Sequence, residues 1–228
     1  MNLFDRERFR VHNAARLEHL ASLNLPLEGK RVLDLGCGPG DLAQFFVSRG
    51  CDVVCIDARQ ENIDKLRRQY PGLEAHVADV ETAELDEFGT FDVVFCYGLL
   101  YHLENPIAAL RKMRRVCTSL LLLETIICDH PLPVVRLVPE PALVTQSLHK
   151  LGSRPSPSYV LQALRHVGFP FVYVPDRLPM HPDFRFERQN NLDWHRDNKL
   201  LRGIFIASMS QIEVDRAGVF DVIGGGVQ

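Results

Sequence analysis

The stretch Val32-Leu33-Asp34-Leu35-Gly36-Cys37-Gly38-Pro39-Gly40-Asp41 decides how this chain is read. A short apolar run ends in an acidic residue and then in glycines at 36, 38 and 40. A helical pattern follows from Leu42 to Arg49. That order is strand, tight turn, helix, with the turn stripped of side chains so that a ligand can approach the backbone. Glycine-rich turns of this kind bind nucleotide-like cofactors.

The details favour one such cofactor over another. A dinucleotide turn needs G-x-G-x-x-G, whose third glycine lets helix and strand pack closely. Here the third glycine comes one residue early, at Gly40, and Asp41 takes its place. Pro39 has no N–H and removes one donor from a would-be pyrophosphate site. Asp34 would repel a diphosphate but can pair, directly or through water, with a cationic amino group. These residues fit S-adenosylmethionine (SAM), which has no phosphates and carries an amino group, a carboxylate, a sulfonium and an adenosine.

The following strands agree. Asp52 to Ile56 is a second buried strand with Asp57 at its end, 21 positions after Gly36. That is close to the ~20-residue offset at which an acidic group takes ribose hydroxyls in such folds, and a carboxylate accepts from two vicinal hydroxyls at once. A third strand, Leu73 to Val77, precedes Asp79-Val80, a carboxylate for an adenine amino group beside an apolar residue for its ring. A fourth, Phe91 to Phe95, leads into Cys96-Tyr97-Gly98-Leu99-Leu100-Tyr101-His102-Leu103.

With DLGCGPG, the downstream acid, Ala78-Asp79-Val80 and FDVVFCYGLLYHLENP in order, residues 30 to 171 resemble class I SAM-dependent methyltransferases, and the likeness extends toward Ser208. The G-x-x-Y-H segment is most similar to the branch that includes tRNA wobble-uridine carboxymethyltransferases and small-molecule or glycan methyltransferases. The resemblance implies an α/β fold, a doubly wound, Rossmann-like sheet of seven strands with the last antiparallel, helices on both faces and lid insertions. It places Asp34, Gly36, Cys37 and Gly38 at the methionine end, Asp57 and Ala58 at the ribose, Asp79 and Val80 at the adenine, and Tyr97 against the cofactor.

Composition bounds the rest. At 228 residues and 46% hydrophobic, the chain reads as one globular domain with a sizeable core. A net charge of −3 gives no pull toward nucleic acid or anionic membrane. The charged N-terminus lacks a signal-peptide core and no apolar run reaches the ~20 residues needed to span a bilayer, so the cytoplasm is the expected compartment. Six scattered cysteines fall largely on core strands, where reduced cysteine acts as a small hydrophobe. Cys51 and Cys55 would lie about 13 Å apart along a strand, too far for one disulfide or one metal. Nine histidines show neither H-x-x-x-H nor H-E-x-x-H spacing, and no metal is expected.

The expected organisation is an N-terminal helical cap over 1–29, a SAM-binding domain over 30–210 and a flexible tail over 211–228. Residues 6–23 have helical periodicity, with Phe9, Ala14, Leu17, Leu20 and Ala21 on one side, and either cover the cofactor crevice or pack on the sheet edge. The helix from Asn105 to Val116 carries Arg111, Lys112, Arg114 and Arg115, read as a solvated face favoured by the helix dipole. A fifth strand (119–127), a helix closed by Gly168, a sixth strand (169–174) and a last strand (201–207) complete the sheet. Segments 129–155 and 175–199 leave the carboxyl ends of strands five and six, where ligands sit, and are read as lids over an acceptor.

Methyl transfer from a sulfonium is an in-line displacement, so the protein must align the acceptor and exclude water. His102 is the candidate general base, because it follows strand four at the switch region and histidine is the side chain suited to proton transfer near neutral pH. Tyr97 and Glu124 are further catalytic candidates. Glu124 interrupts an apolar strand and needs a partner, either the acceptor, a lid residue or an arginine. Tyr101, His130, Arg154 and Trp194 are the candidate substrate contacts. The leading function is methyl transfer to an oxygen, rather than a nitrogen, of a small-molecule or sugar acceptor. Alternatives are modification of a tRNA wobble base, disfavoured by the acidic balance, a non-catalytic SAM-binding partner protein, and an NAD-dependent dehydrogenase, disfavoured by Asp34 and Asp41.

Overall fold

The computed structural model describes residues 7–141, 143, 145–184 and 201–213, together with the backbone of 187–189, 193–195 and 217–218. Strands β1 (Arg31–Leu35), β2 (Asp52–Asp57), β3 (Glu74–Val77), β4 (Phe91–Tyr97) and β5 (Cys117–Ile127) are parallel. The chain moves outward from β1 to β2 and β3, then returns to place β4 and β5 on the other side of β1. That reversal opens a crevice at the carboxyl ends of β1 and β4.

Hairpin β6 (Val135–Pro139) and β7 (Leu151–Pro155) follows β5 and stands outside the main sheet. β8 (Phe171–Pro175) and β11 (Leu201–Ser208) complete the sheet, in the order β8-β11-β5-β4-β1-β2-β3, with β11 antiparallel to both neighbours. These are the seven strands expected. A two-residue strand, β12 (Ala217–Gly218), adds antiparallel to the β8 edge, within the segment read as a tail, and the rest of 214–228 lies outside the described residues. Between β8 and β11 the backbone forms a second small hairpin, β9 (Glu187–Gln189) and β10 (Asp193–His195).

Strand alternation divides the core into two layers. Leu33, Leu35, Val54 and Ile56 face helices α4 (Pro106–Val116) and α5 (Pro157–His166), through Leu110, Met113, Val160 and Leu164. Val32, Val53 and Cys55 face α1 (Glu7–Ser22), α2 (Gln44–Val47) and α3 (Gln60–Gln69), through Leu20, Phe46, Ile63 and Leu66. Asn105 caps α4 by accepting from the Ala108 amide, and Ser156 caps α5 by accepting from Tyr159, each followed by a proline at the first helical position. The helix expected over 42–49 shortens to Gln44–Val47, because Ala43 offers no side-chain cap.

Helix α1 departs from its expected amphipathic face. Ala14 is exposed, and the buried stripe is His12, Ala15, Arg16, His19 and Leu20. A helix that buries two histidines and an arginine serves a polar interior, and this one lies along the crevice rather than on the sheet edge.

Candidate active site

The crevice is a cavity of about 420 Å3, within the range of small-molecule sites. Its floor is the glycine turn. The Gly36 and Cys37 amides donate to Ile56 O at 2.8 and 3.1 Å, and the Gly38 amide donates to Asp57 Oδ2 at 3.0 Å. Gly36 has φ +72°, and a Cβ there would lie 2.8 Å from Leu99 Cβ, so both backbone and packing require glycine. Asp57 Oδ1 accepts from the Arg59 amide (2.9 Å) and Asn62 Nδ2 (3.0 Å), which fixes the carboxylate at the cavity wall. Ala58, Asp79, Val80 and Tyr97 also line this end.

Asp34 lies beneath the turn, 2% exposed and outside the cavity lining, and its Oδ2 has no hydrogen-bond partner among the described residues. Burial, with the Asp57 charge second, pushes its carboxyl up to about 7. A buried carboxyl left one bond short beside a bare backbone turn suits a ligand ammonium.

At the other end, His102 lines the cavity and its Nδ1 lies 2.5 Å from Glu140 Oε2. Glu140 also accepts from Arg154 Nη2 (2.8 Å) and the Ser147 amide (2.7 Å). Burial alone would raise this carboxyl, but the His102 bond and charge, with those of Arg154 and Ser147, hold it down at about 2. Gly152 allows the approach, since a Cβ there would lie 2.5 Å from both Glu140 Oε1 and Tyr101 O. Glu140 gave no signal in the sequence: it follows Val138-Pro139 in a proline-rich segment, and only the β6–β7 pairing carries it to His102.

The same hairpin connector closes over the cofactor end. Arg59 Nη2 donates to Gln146 O (3.2 Å), and His149 Nε2 lies 2.8 Å from Asp79 Oδ2. The Asp79 bond pushes the His149 imidazole up. Thr145, Gln146, Leu148 and His149 line the cavity.

Three further sequence candidates, besides Asp34, lie outside the cavity lining. Glu124 is fully buried and does not line the cavity: Oε2 accepts from Arg16 Nη2 (2.5 Å) and Oε1 from Arg202 Nη1 (2.8 Å). With both oxygens bound to arginines it positions those side chains, and the catalytic assignment is corrected. Arg154 is withdrawn behind Tyr101, donating to Tyr101 O (2.7 Å) and Glu140, so it braces the wall rather than clamping a substrate. His130 is exposed, away from the cavity, in a local turn with Leu132. The Trp194 side chain lies outside the described residues.

Tyr101 lines the cavity with its hydroxyl 3.4 Å from Arg202 Nη2. The Tyr97 hydroxyl is buried without a partner among the described residues, and burial, with Glu124 second, pushes it well up. The sequence reading missed Arg16, Arg202, His12 and Asp183, all of which line the cavity. The spacing of His12, Arg16 and His19 along one helical stripe was the available signal for the first.

Residues 32–119 match the family described as a methyltransferase domain. A ubiquinone biosynthesis O-methyltransferase from Bordetella avium is 35% identical over 114 residues, 47% of this chain and 45% of that protein. The chain therefore spans about half the length of the curated relatives it matches. The N-terminal domain of EvdMO1, solved with SAH bound, superposes with a TM-score of 0.63 at 23% identity, over 87% of this chain and 80% of that one. A SAM-dependent methyltransferase from Mesorhizobium loti gives a TM-score of 0.63 at 18% identity, over 87% and 99%. Residues 32–119 thus match a methyltransferase domain, and the chain as a whole shares the fold of the solved SAM-dependent methyltransferases.

Proposed function

We propose that the chain transfers the methyl group of SAM to an oxygen of a small hydroxylated acceptor, such as a phenol or a sugar. The observation that carries this reading is one continuous cavity with a cofactor-shaped end at Gly36–Gly38, Asp57 and Asp79, and His102 backed by buried Glu140 at the other.

SAM, when bound, supplies an electrophilic methyl carbon. Asp57 accepts from the ribose, Asp79 from the adenine amino group once His149 yields it, and Asp34, beneath the turn, reaches the ammonium group through water. Arg16, buried beside Gly98, faces the ligand carboxylate. Glu140 accepts His102 Nδ1–H and leaves Nε2 free to take a proton. The acceptor hydroxyl gives its proton to His102 Nε2 as its oxygen lone pair bonds to the methyl carbon. The carbon–sulfur bond breaks with its pair on sulfur, giving a methyl ether and SAH. The name of the Bordetella avium relative supports oxygen as the acceptor atom.

The test is calorimetry with SAH, followed by transfer of labelled methyl from SAM to a panel of phenols, catechols and sugars. The expected result is SAH binding in wild type and in His102→Ala, with transfer lost in the variant. No SAH binding, or full transfer by His102→Ala, overturns the reading.

A further inference from the structure

One peptide group in the connector between β6 and β7 is held from both sides of the crevice. Its carbonyl, Gln146 O, accepts from Arg59 Nη2 at 3.2 Å, and the same nitrogen lies 3.4 Å from Ser147 O. Its N–H, that of Ser147, donates to Glu140 Oε2 at 2.7 Å. That oxygen is the one 2.5 Å from His102 Nδ1. Arg59 itself does not line the cavity. We propose that Arg59 is a positioning residue for His102: it fixes the 146–147 peptide, the peptide fixes Glu140, and Glu140 fixes the imidazole.

The place of Arg59 in the chain is the first support. It is the N-cap residue of α3, with φ −106° and ψ 120°, and its side chain makes no cap bond. Serine, threonine, aspartate and asparagine suit that position, and a cation beside the positive end of a helix is disfavoured. Helices α4 and α5 follow the rule, with Asn105 and Ser156 as caps. Helix formation therefore does not explain an arginine at 59. Its backbone is already placed, because its amide donates to Asp57 Oδ1 at 2.9 Å, and the guanidinium is spent across the crevice instead. Breaks of a local rule concentrate at functional sites.

The peptide group is the second support. It is planar and trans, so its C=O and N–H point in opposite directions. A guanidinium that holds the oxygen toward β2 thereby aims the N–H at Glu140, and a charged donor on the oxygen strengthens the bond that the N–H makes. Ser147 is 1% exposed, and its hydroxyl donates to Leu151 O at 2.8 Å, which ties the same residue to the start of β7. Arg154 holds the other oxygen of Glu140 at 2.8 Å. Release of the peptide leaves the carboxylate anchored on the Arg154 side and loose on the side of the imidazole.

Cofactor binding gives this tie its weight. The connector also reaches the cofactor end through His149, 2.8 Å from Asp79 Oδ2. On the proposed function the adenine amino group takes Asp79, and that bond ends. The Arg59 bonds do not compete with the cofactor and remain in the loaded enzyme. The effect on turnover rests on the proposed function, whereas the hold of Arg59 on Glu140 and His102 does not.

The test replaces Arg59 with serine, which supplies the missing cap, and with lysine, which still donates to the two carbonyls. Arg59→Ser keeps the backbone amide on Asp57, so SAH affinity in calorimetry should hold and the melting temperature should hold or rise. Transfer of labelled methyl should fall about tenfold or more, toward the ~10²-fold cost of a small displacement of a reacting group, with KM for SAM unchanged. Arg59→Lys should recover part of the loss. A second readout needs no turnover. In protein labelled with 15N-histidine and saturated with SAH, the His102 Nδ1 proton, assigned by its absence in His102→Ala, should be sharp in wild type and Arg59→Lys and broadened by water exchange in Arg59→Ser. Wild-type turnover in Arg59→Ser, or an unchanged His102 signal, overturns the inference. So does a marked drop in melting temperature or an equal loss of SAH affinity and turnover, which would make Arg59 a fold or cofactor residue. A His102 signal that broadens in Arg59→Ser, in a protein whose wild type transfers no methyl, refutes the proposed function alone.

Discussion

On the proposed function, Asp34 should make cofactor affinity depend on pH near neutrality. An ordinary aspartate titrates at 3.8, and this one, buried beneath the glycine turn and near Asp57, titrates at about 7. The shift corresponds to roughly 4 kcal/mol against the ionised form. The ammonium of SAM or SAH stays protonated through this range and pairs only with the ionised carboxylate. SAH affinity should therefore fall about tenfold for each pH unit below about 7 and level off above it. Without ligand the sign is opposite for stability. Between the ordinary value and about 7 the folded state holds a proton that the unfolded state has released, so stability is full at low pH and is lost as pH rises, by about 4 kcal/mol in all. SAH should flatten that slope. Calorimetry and thermal melts across the interval measure both, and Asp34→Asn should abolish both pH dependences while weakening SAH at high pH. An SAH affinity independent of pH in the wild type, or an unchanged profile in Asp34→Asn, would refute the pairing of Asp34 with the ligand ammonium.

Asp57→Ala removes the ribose acceptor and releases the Gly38 amide, and should weaken SAH by about 1–3 kcal/mol in calorimetry. Glu140→Gln removes the charge that orients His102, and should lower labelled-methyl turnover ~10²–10⁴-fold with SAH affinity nearly unchanged; equal losses in both would show that Glu140 only supports the lid. Glu124→Gln leaves Arg16 and Arg202 without their shared carboxylate and should destabilise the fold by about 3–5 kcal/mol in denaturant melts. Gly36→Ala forces a Cβ to 2.8 Å from Leu99 at φ +72° and should cost about 1–3 kcal/mol of stability, together with SAH binding.

The glycine turn, Asp57 and Asp79 were legible as neighbours along one crevice because their placement is local in sequence. A strand, a bare turn and an acid at a fixed offset are consequences of one βαβ unit, and periodicity finds them. His102 was legible for the same reason, as the residue group that follows β4. The acceptor half was not. Glu140 meets His102 across 38 positions, Glu124 meets Arg16 across 108, and His12 meets His181 across 169. Spacing rules for metal or base–acid pairs test neighbours on one element, and these pairs exist only after the sheet has folded. Helix α1 misled the reading for a related reason. Hydrophobic periodicity assumes that the buried face is apolar, and here the buried face is a polar wall.

The same division explains the reach of the likeness to other proteins. The family match covers residues 32–119, which hold the glycine turn, Asp57, Asp79 and His102. Arg16, Glu140, Asp183 and Arg202, which build the rest of the crevice, all lie outside that range. They arrive from α1, from the hairpin after β5, from the stretch between β8 and β11 and from β11 itself, and Glu124 joins the first to the last by taking one arginine from each. A buried carboxylate between two arginines is costly to assemble and destabilising to break, so it fixes α1 over the crevice in one position. On the proposed function, cofactor binding belongs to this contiguous unit, whereas acceptor choice belongs to side chains that the rest of the chain brings in. A change of acceptor in this fold therefore requires altering α1 and the two segments above the strand ends, with the glycine turn left intact.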